Sequence, residues 1–139
     1  MQALSIVESF LLCLADIKGT AMYHVLVVDD DSLVSDLVAR MLFAAGYRVD
    51  TAGNGSDALD LIGVLSPDLV LSDMQMPEMD GGELYRALRA RGLDMPFIGM
   101  SGNRDLLLTA GFDACLTKPF KMADLLSAVK GVLGKHLVS

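Results

Sequence analysis

Carboxylates, a hydroxyl and an amine recur in this chain at one kind of place, just after a short apolar run. The predicted runs are His24–Val28, Asp68–Ser72, Phe97–Met100 and Ala114–Thr117. They lead into Asp29-Asp30-Asp31, Asp73, Ser101-Gly102 and Lys118-Pro119 respectively. In an open parallel sheet, ligands bind beyond the carboxyl ends of the strands. If the runs are strands of such a sheet, the carboxylates of Asp29, Asp30 and Asp73 converge with Ser101 and Lys118 on one rim. Carboxylates held close repel each other unless a counter-charge is present. A divalent cation supplies it, and hard oxygen ligands favour Mg²⁺. A metal, a carboxylate, a lysine and a hydroxyl together suit phosphoryl transfer. The carboxylate attacks phosphorus and becomes an acyl phosphate. The cation and Lys118 neutralise charge on the phosphoryl oxygens, and Ser101 donates a hydrogen bond to the product. Asp73 is the nucleophile candidate, because it ends the middle strand and the others flank it. Taken singly these residues are ordinary: an Asp after a strand is commonly a turn residue or a helix cap, as expected of Asp31 and Ser32.

The elements that must position these groups alternate between short apolar runs and helical periodicity, the pattern of a parallel sheet covered by helices. Leu33, Val34, Leu37, Val38, Met41 and Leu42 recur at a spacing that puts them on one helix face, and Gly46 ends that helix. Arg48–Ala52 is a second strand, ending in Gly53-Asn54, which offers no decisive chemistry. Ser56 is the expected N-cap of a helix to about Leu65, broken by Pro67. A third helix runs through Leu84, Leu88 and Arg89. A short fourth one spans Arg104 to Ala110. In the last helix Met122, Leu125, Leu126, Val129, Val132 and Leu133 form the inner face. Five strand–helix units predict an α/β doubly wound (βα)5 sandwich with strand order 2-1-3-4-5.

The chain has 139 residues, enough for one domain, and 53% of them are hydrophobic, so a packed core is expected and disorder is not. A formal net charge of −7, with no Lys/Arg-rich block, argues against a nucleic-acid partner. The two cysteines, Cys13 and Cys115, form no metal-binding pattern, and a reducing cytoplasm is the default compartment. Residues 1–21 form an apolar extension ahead of a domain expected over 22–139. It lacks a basic n-region and is interrupted by Glu8 and Asp16, so neither a signal peptide nor membrane insertion is expected. It reads either as an upstream-start artefact or as a helix packing its apolar side on this domain or a partner.

Four of these segments, in order, resemble the receiver domain of bacterial response regulators, over about Met22 to Val138. Asp73-Met74-Gln75-Met76-Pro77-Glu78-Met79-Asp80-Gly81 is similar to the family's D-x-x-M-P-x-M-D-G loop, Val25–Asp30 to its strand ending in two acids, and Lys118-Pro119-Phe120 to its K-P-F. Ser101 falls where the family has Ser or Thr. The resemblance implies a two-component phosphorelay domain, not an enzyme beyond its own phosphorylation and dephosphorylation. Asp73 is then the phosphoacceptor. Asp30, Asp73 and the backbone carbonyl of Gln75 ligate Mg²⁺, and Asp29 acts largely through a metal-bound water. Lys118 bridges to the phosphoryl group, and the Lys118–Pro119 bond is expected to be cis. Gln75 and Asn103 occupy positions that tune hydrolysis in the family. The implied partners are a sensor histidine kinase or histidine phosphotransfer protein and a downstream protein target, with homodimerisation through the fourth and fifth helices as an option. No output domain follows Leu133, so a stand-alone receiver is expected. His24 and His136 match no phosphodonor pattern.

Two departures bear on switching. Cys115 stands where the family holds an aromatic ring, so either Ser101 couples to the output face by another route or Cys115 is simply a small buried strand residue. The stretch from Ser101 to Lys118 is short, which should remove more than a turn from the fourth helix at about 1.5 Å per residue. Two other readings compete. One is a pseudo-receiver that binds partners without phosphorylation. The other is a haloacid-dehalogenase-like phosphatase using Asp29-Asp30-Asp31. The latter lacks an acidic pair after the lysine and room for a cap domain.

Overall fold

In β1 (His24–Val28) alternate side chains leave in opposite directions, and both directions are apolar. Val25 and Val27 join one core cluster, and Leu26 and Val28 join another. A strand buried on both faces belongs in the middle of a covered parallel sheet. The computed structural model describes residues 22–108 and 111–138. The expected N-terminal helix falls in residues 1–21 and lies outside them. Around β1 stand β2 (Arg48–Ala52), β3 (Leu69–Asp73), β4 (Phe97–Ser101) and β5 (Ala114–Thr117). All pairings are parallel, in the order β2-β1-β3-β4-β5. The predicted doubly wound sheet is the observed one.

Helix α1 (Ser32–Ala44) is capped by Asp31, whose carboxylate accepts from the Leu33 and Val34 N–H groups. Its buried stripe is Ser35, Val38 and Leu42, narrower than the apolar periodicity predicts. Val34 and Met41 pack partly against the core, but Leu33 and Leu37 are 80% and 55% exposed. They sit one turn apart on the far side of the helix, because a sheet covers only one arc of a helix surface. Helix α2 (Gly55–Leu65) is capped by Asn54 rather than Ser56, since the Asn54 Oδ1 accepts the Asp57 N–H at 2.8 Å. Ser66, with φ 48°, ends it ahead of Pro67. Helix α3 (Gly81–Ala90) begins with a reciprocal capping box between Asp80 and Glu83. Helix α4 has only five described residues, Arg104–Leu108, in accord with the expected shortening; the predicted end at Ala110 falls outside the described residues. Helix α5 (Met122–Val138) buries Leu125, Val129, Val132 and Leu133 as predicted, while Met122 at its start is exposed.

The sheet divides the core in two. Val38 and Leu42 of α1 and Leu125 and Val129 of α5 meet Val27, Leu71 and Met100 on one face. Ala58 and Ile62 of α2 and Leu84 and Leu88 of α3 meet Leu26, Val70 and Phe97 on the other. One polar contact escaped the sequence reading. His24 is buried at the start of β1, with its Nε2 2.6 Å from Asp50 Oδ2 on β2, and its N–H donates to Asp68. That pairing depends on strand register, which periodicity does not reveal.

Candidate functional site

The strand ends bring the expected groups together. Carboxylate oxygens of Asp29, Asp30 and Asp73 lie within 4.8 Å of one another. Asp29 and Asp73 are buried, at 2% and 7% exposure, while Asp30 faces solvent. Lys118, arriving from the end of β5, places its Nζ 3.2 Å from Asp29 Oδ2 and 3.5 Å from Asp73 Oδ2. The Lys118–Pro119 peptide is cis, as expected. Backbone groups fix the carboxylates further. The Asp31 N–H donates to Asp29 Oδ1 at 2.9 Å, and the Gln75 N–H donates to Asp73 Oδ1 at 3.2 Å.

The local sequence explains why the loops can hold this arrangement. After Asp73 the chain folds back so that α3 starts against it. A Cβ at Gly81 would collide with the Asp73 carbonyl oxygen, so glycine is required there by close approach. Within the same loop Glu78 has φ 69°, a left-handed conformation that non-glycine residues adopt infrequently. Strained residues of this kind cluster at functional sites. Ser101 ends β4 fully buried, and its Oγ accepts the Asn103 N–H at 2.9 Å. The Lys118 N–H donates to the Ser101 carbonyl at 2.8 Å, which ties the hydroxyl-bearing strand to the lysine-bearing one.

The electrostatics favour a cation. Burial raises the Asp29 carboxyl above its ordinary pKa, and the Asp73 charge adds to this. The Asp31 N–H and the Lys118 ammonium only partly offset them. The site thus concentrates more negative charge than one lysine neutralises. Three carboxylates converging at this distance are a hard-oxygen donor set that fits Mg²⁺.

Cys115 corrects one expectation. It is exposed, not buried, because β5 is an edge strand. The residue is exposed as a whole, but its Sγ turns to within 3.5 Å of the Leu107 carbonyl, and loss of water around the thiol there pushes its pKa up. Sequence reasoning also passed over Phe112, which packs with Tyr85 and Phe97. An aromatic residue between Gly111 and Asp113 reads as loop until the fold shows what it covers.

A five-stranded parallel sheet with this order and an acidic rim with one lysine define a phosphorelay receiver. Residues 25–130 match the response regulator receiver domain, and the chain belongs to that family. It is 40% identical over 115 residues to the response regulator MprA of Mycolicibacterium vanbaalenii, covering 79% of this chain and 50% of that protein. It thus spans about half the length of the curated relatives it matches. The chemotaxis protein CheY4 of Vibrio cholerae superposes with TM-score 0.74 at 31% identity, covering 81% of this chain and 99% of that one. The receiver domain of a Pseudomonas aeruginosa sensor histidine kinase superposes with TM-score 0.75 at 30% identity, covering 82% and 99%. That structure holds a magnesium ion in its active-site cleft. This family membership sets aside the phosphatase reading. The protein is a signalling domain of two-component systems. No helix among the described residues is long and apolar enough to cross a membrane.

Proposed function

We propose that Asp73 is the phosphoacceptor of a His-to-Asp relay and that Asp29, Asp30, Asp73 and the Gln75 backbone carbonyl hold Mg²⁺. The observation that carries this reading is the placement of the Lys118 ammonium within 3.5 Å of the Asp73 carboxylate, beside two further acids. An Asp73 carboxylate oxygen attacks phosphorus as the P–N bond to a donor histidine breaks, and the donor, protonated on its other ring nitrogen, leaves as neutral imidazole. Bound Mg²⁺ supplies positive charge to the phosphoryl oxygens. Lys118 adds to that charge, and Ser101 donates its hydroxyl to the product phosphoryl group. Gln75 and Asn103 flank the site through their backbone N–H groups and tune how fast the acyl phosphate is hydrolysed.

The donor is a sensor histidine kinase or a histidine phosphotransfer protein, and the output is a protein–protein contact in the cytoplasm. Exposed Leu33 and Leu37 support a protein partner at the site, because they stand just after the Asp29–Asp31 rim. Exposed apolar side chains grouped together mark contact surfaces. The acidic balance supports the absence of a direct nucleic-acid role for this domain.

The test is intact mass after incubation with Mg²⁺ and phosphoramidate or acetyl phosphate. The protein is expected to gain one phosphoryl group, and Asp73→Asn to gain none. Equal uptake by both would mean that another residue accepts the phosphate. No uptake by either would support the pseudo-receiver.

A further inference from the structure

Strand β4 carries Phe97, Gly99 and Ser101 on one face, by the two-residue period of a strand. Gly99 is covered by an aromatic ring. A Cβ built there would lie 2.7 Å from Cδ2 and Cε2 of Phe112, and 3.2 Å from Cδ2 of Leu107. Phe112 therefore rests directly on the β4 backbone, two residues before the Ser101 hydroxyl. Its ring stacks on Phe97 with centroids 5.0 Å apart, and it meets Tyr85 of α3 edge-on, also at 5.0 Å. The Tyr85 and Phe97 rings complete the triangle at 5.2 Å. Aromatic pairs in such geometries attract each other beyond the area they bury.

The outer side of this cluster is tied to α3 and to the start of β5. The Arg89 guanidinium lies 4.6 Å from the Tyr85 ring centroid and 3.8 Å from Asp113. The Asp113 carboxylate accepts the Phe97 N–H at 2.8 Å, and the Tyr85 hydroxyl donates to the Gly111 carbonyl at 3.4 Å. Phe112 thus has β4 beneath it, Leu107 of α4 on one side and Tyr85 of α3 on the other. A change in any one of these three neighbours must be met by the ring or by the other two, because close-packed interiors transmit displacement.

The phosphorelay reading supplies such a change. The Ser101 Oγ now accepts the Asn103 N–H. A hydroxyl donates and accepts at once, so Ser101 can keep this bond while donating to a phosphoryl group on Asp73, and the Ser101–Asn103 turn, tied to its Oγ, is then drawn with it. Helix α4 begins at the next residue, Arg104, and its buried Leu107 follows within one turn of that start. Leu107 and Phe112 share the space above Gly99. We propose that Phe112 is a wedge that transmits the state of the Ser101 turn, through Leu107 and Gly99, to Tyr85 and the outer face of α3. The inference rests on the phosphoacceptor reading of Asp73. It assigns the internal relay to a ring in the α4–β5 loop, in a chain whose β5 residue Cys115 is exposed and carries no ring. Coupling of this kind is read as an element that moves with the input.

The full chain labelled with 3-fluorotyrosine provides that measurement. Tyr85 reports the wedge, Tyr23 and Tyr47 act as internal controls, and Tyr85→Phe assigns the Tyr85 resonance. Samples with Mg²⁺ and excess phosphoramidate are divided between fluorine NMR and intact mass. In the unsubstituted protein the Tyr85 resonance is expected to shift as the phosphoryl mass appears, with Tyr23 and Tyr47 unmoved. In Phe112→Leu the mass gain is expected to remain and the shift to be lost. Gly99→Ala, whose new methyl would displace the ring, is expected to shift Tyr85 before any donor is added. A mass gain without movement of Tyr85, or the same movement in Phe112→Leu, overturns the wedge and leaves the phosphoacceptor intact. No mass gain overturns the Asp73 reading and removes the wedge's input with it.

Discussion

The half of the sheet built on β1 and β3 and the half that ends at β5 solve different problems. In the first, every residue of both strands is buried, and the strands end in carboxylates fixed by backbone N–H groups. In the second, β5 is an edge strand of four residues with Cys115 and Thr117 facing outward, beside the short α4. Lys118 joins the halves by carrying one cation from the thin edge into the buried acids. The chemistry is thus anchored where packing is deepest. The parts that respond to it in the proposed relay lie where packing is lightest, as expected of elements drawn from the less stable end of a fold.

The sharpest way to break this comparison is to cut the link. Lys118→Ala is expected to slow Mg²⁺-dependent phosphoryl uptake by about 10²-fold or more, the usual loss when one charge-stabilising donor is removed. A time course by intact mass measures it. An unchanged rate would mean that the two halves are chemically independent.

The packing contrast is tested next. Leu71 lies at the centre of β3 with no exposure, and Leu116 on β5 retains 5%. Leu71→Ala is expected to cost about 4 kcal/mol and Leu116→Ala about 2 kcal/mol, the upper and lower parts of the range for such truncations. Urea denaturation of both variants decides it, and equal losses would erase the distinction.

A smaller effect, of opposite sign, is expected at the acids. Burial holds the Asp29 carboxyl above its ordinary pKa. The unfolded chain therefore releases this proton first as pH rises, and the native state is penalised from the ordinary carboxylate range upward. The penalty is complete above the folded-state pKa and absent well below the unfolded one. Asp29→Asn should raise the melting temperature at neutral pH without Mg²⁺, by a few degrees, and have no such benefit in strong acid. A lower melting temperature at neutral pH would mean that the Lys118 contact outweighs the burial of charge. Adding Mg²⁺ should stabilise the unsubstituted protein more than the variant, since a ligand that binds only the native state adds to its stability.

The smallest effect is expected at the edge. Cys115→Ser should change stability by no more than about 0.5 kcal/mol, as for exposed positions away from special features. A larger loss in thermal melting would show that the thiol contact with the Leu107 carbonyl matters to α4.

Much of the site was legible because strands announce their own ends. Short β-rich runs bounded by polar residues locate Asp29, Asp30, Asp73, Ser101 and Lys118, and a parallel sheet brings strand ends to one rim whatever the details. Sequence by itself determined the alternation of strands and helices, the order of the sheet, the acidic rim and the short α4. Tertiary structure alone decided the rest. Lys118 reaches Asp29 across 89 positions of chain, a contact that depends on how β5 is brought beside β4. His24 meets Asp50 only through the register of β1 against β2. Leu33 and Leu37 have the periodicity of core residues but lie outside it, because hydrophobic spacing specifies an apolar arc and not how much of that arc a sheet will cover. Phe112 looks like loop in the sequence and Gly99 like a weak point in a strand. They take on a role only together, because an aromatic ring needs a bare stretch of backbone to rest on, and tertiary packing alone brings the two into contact.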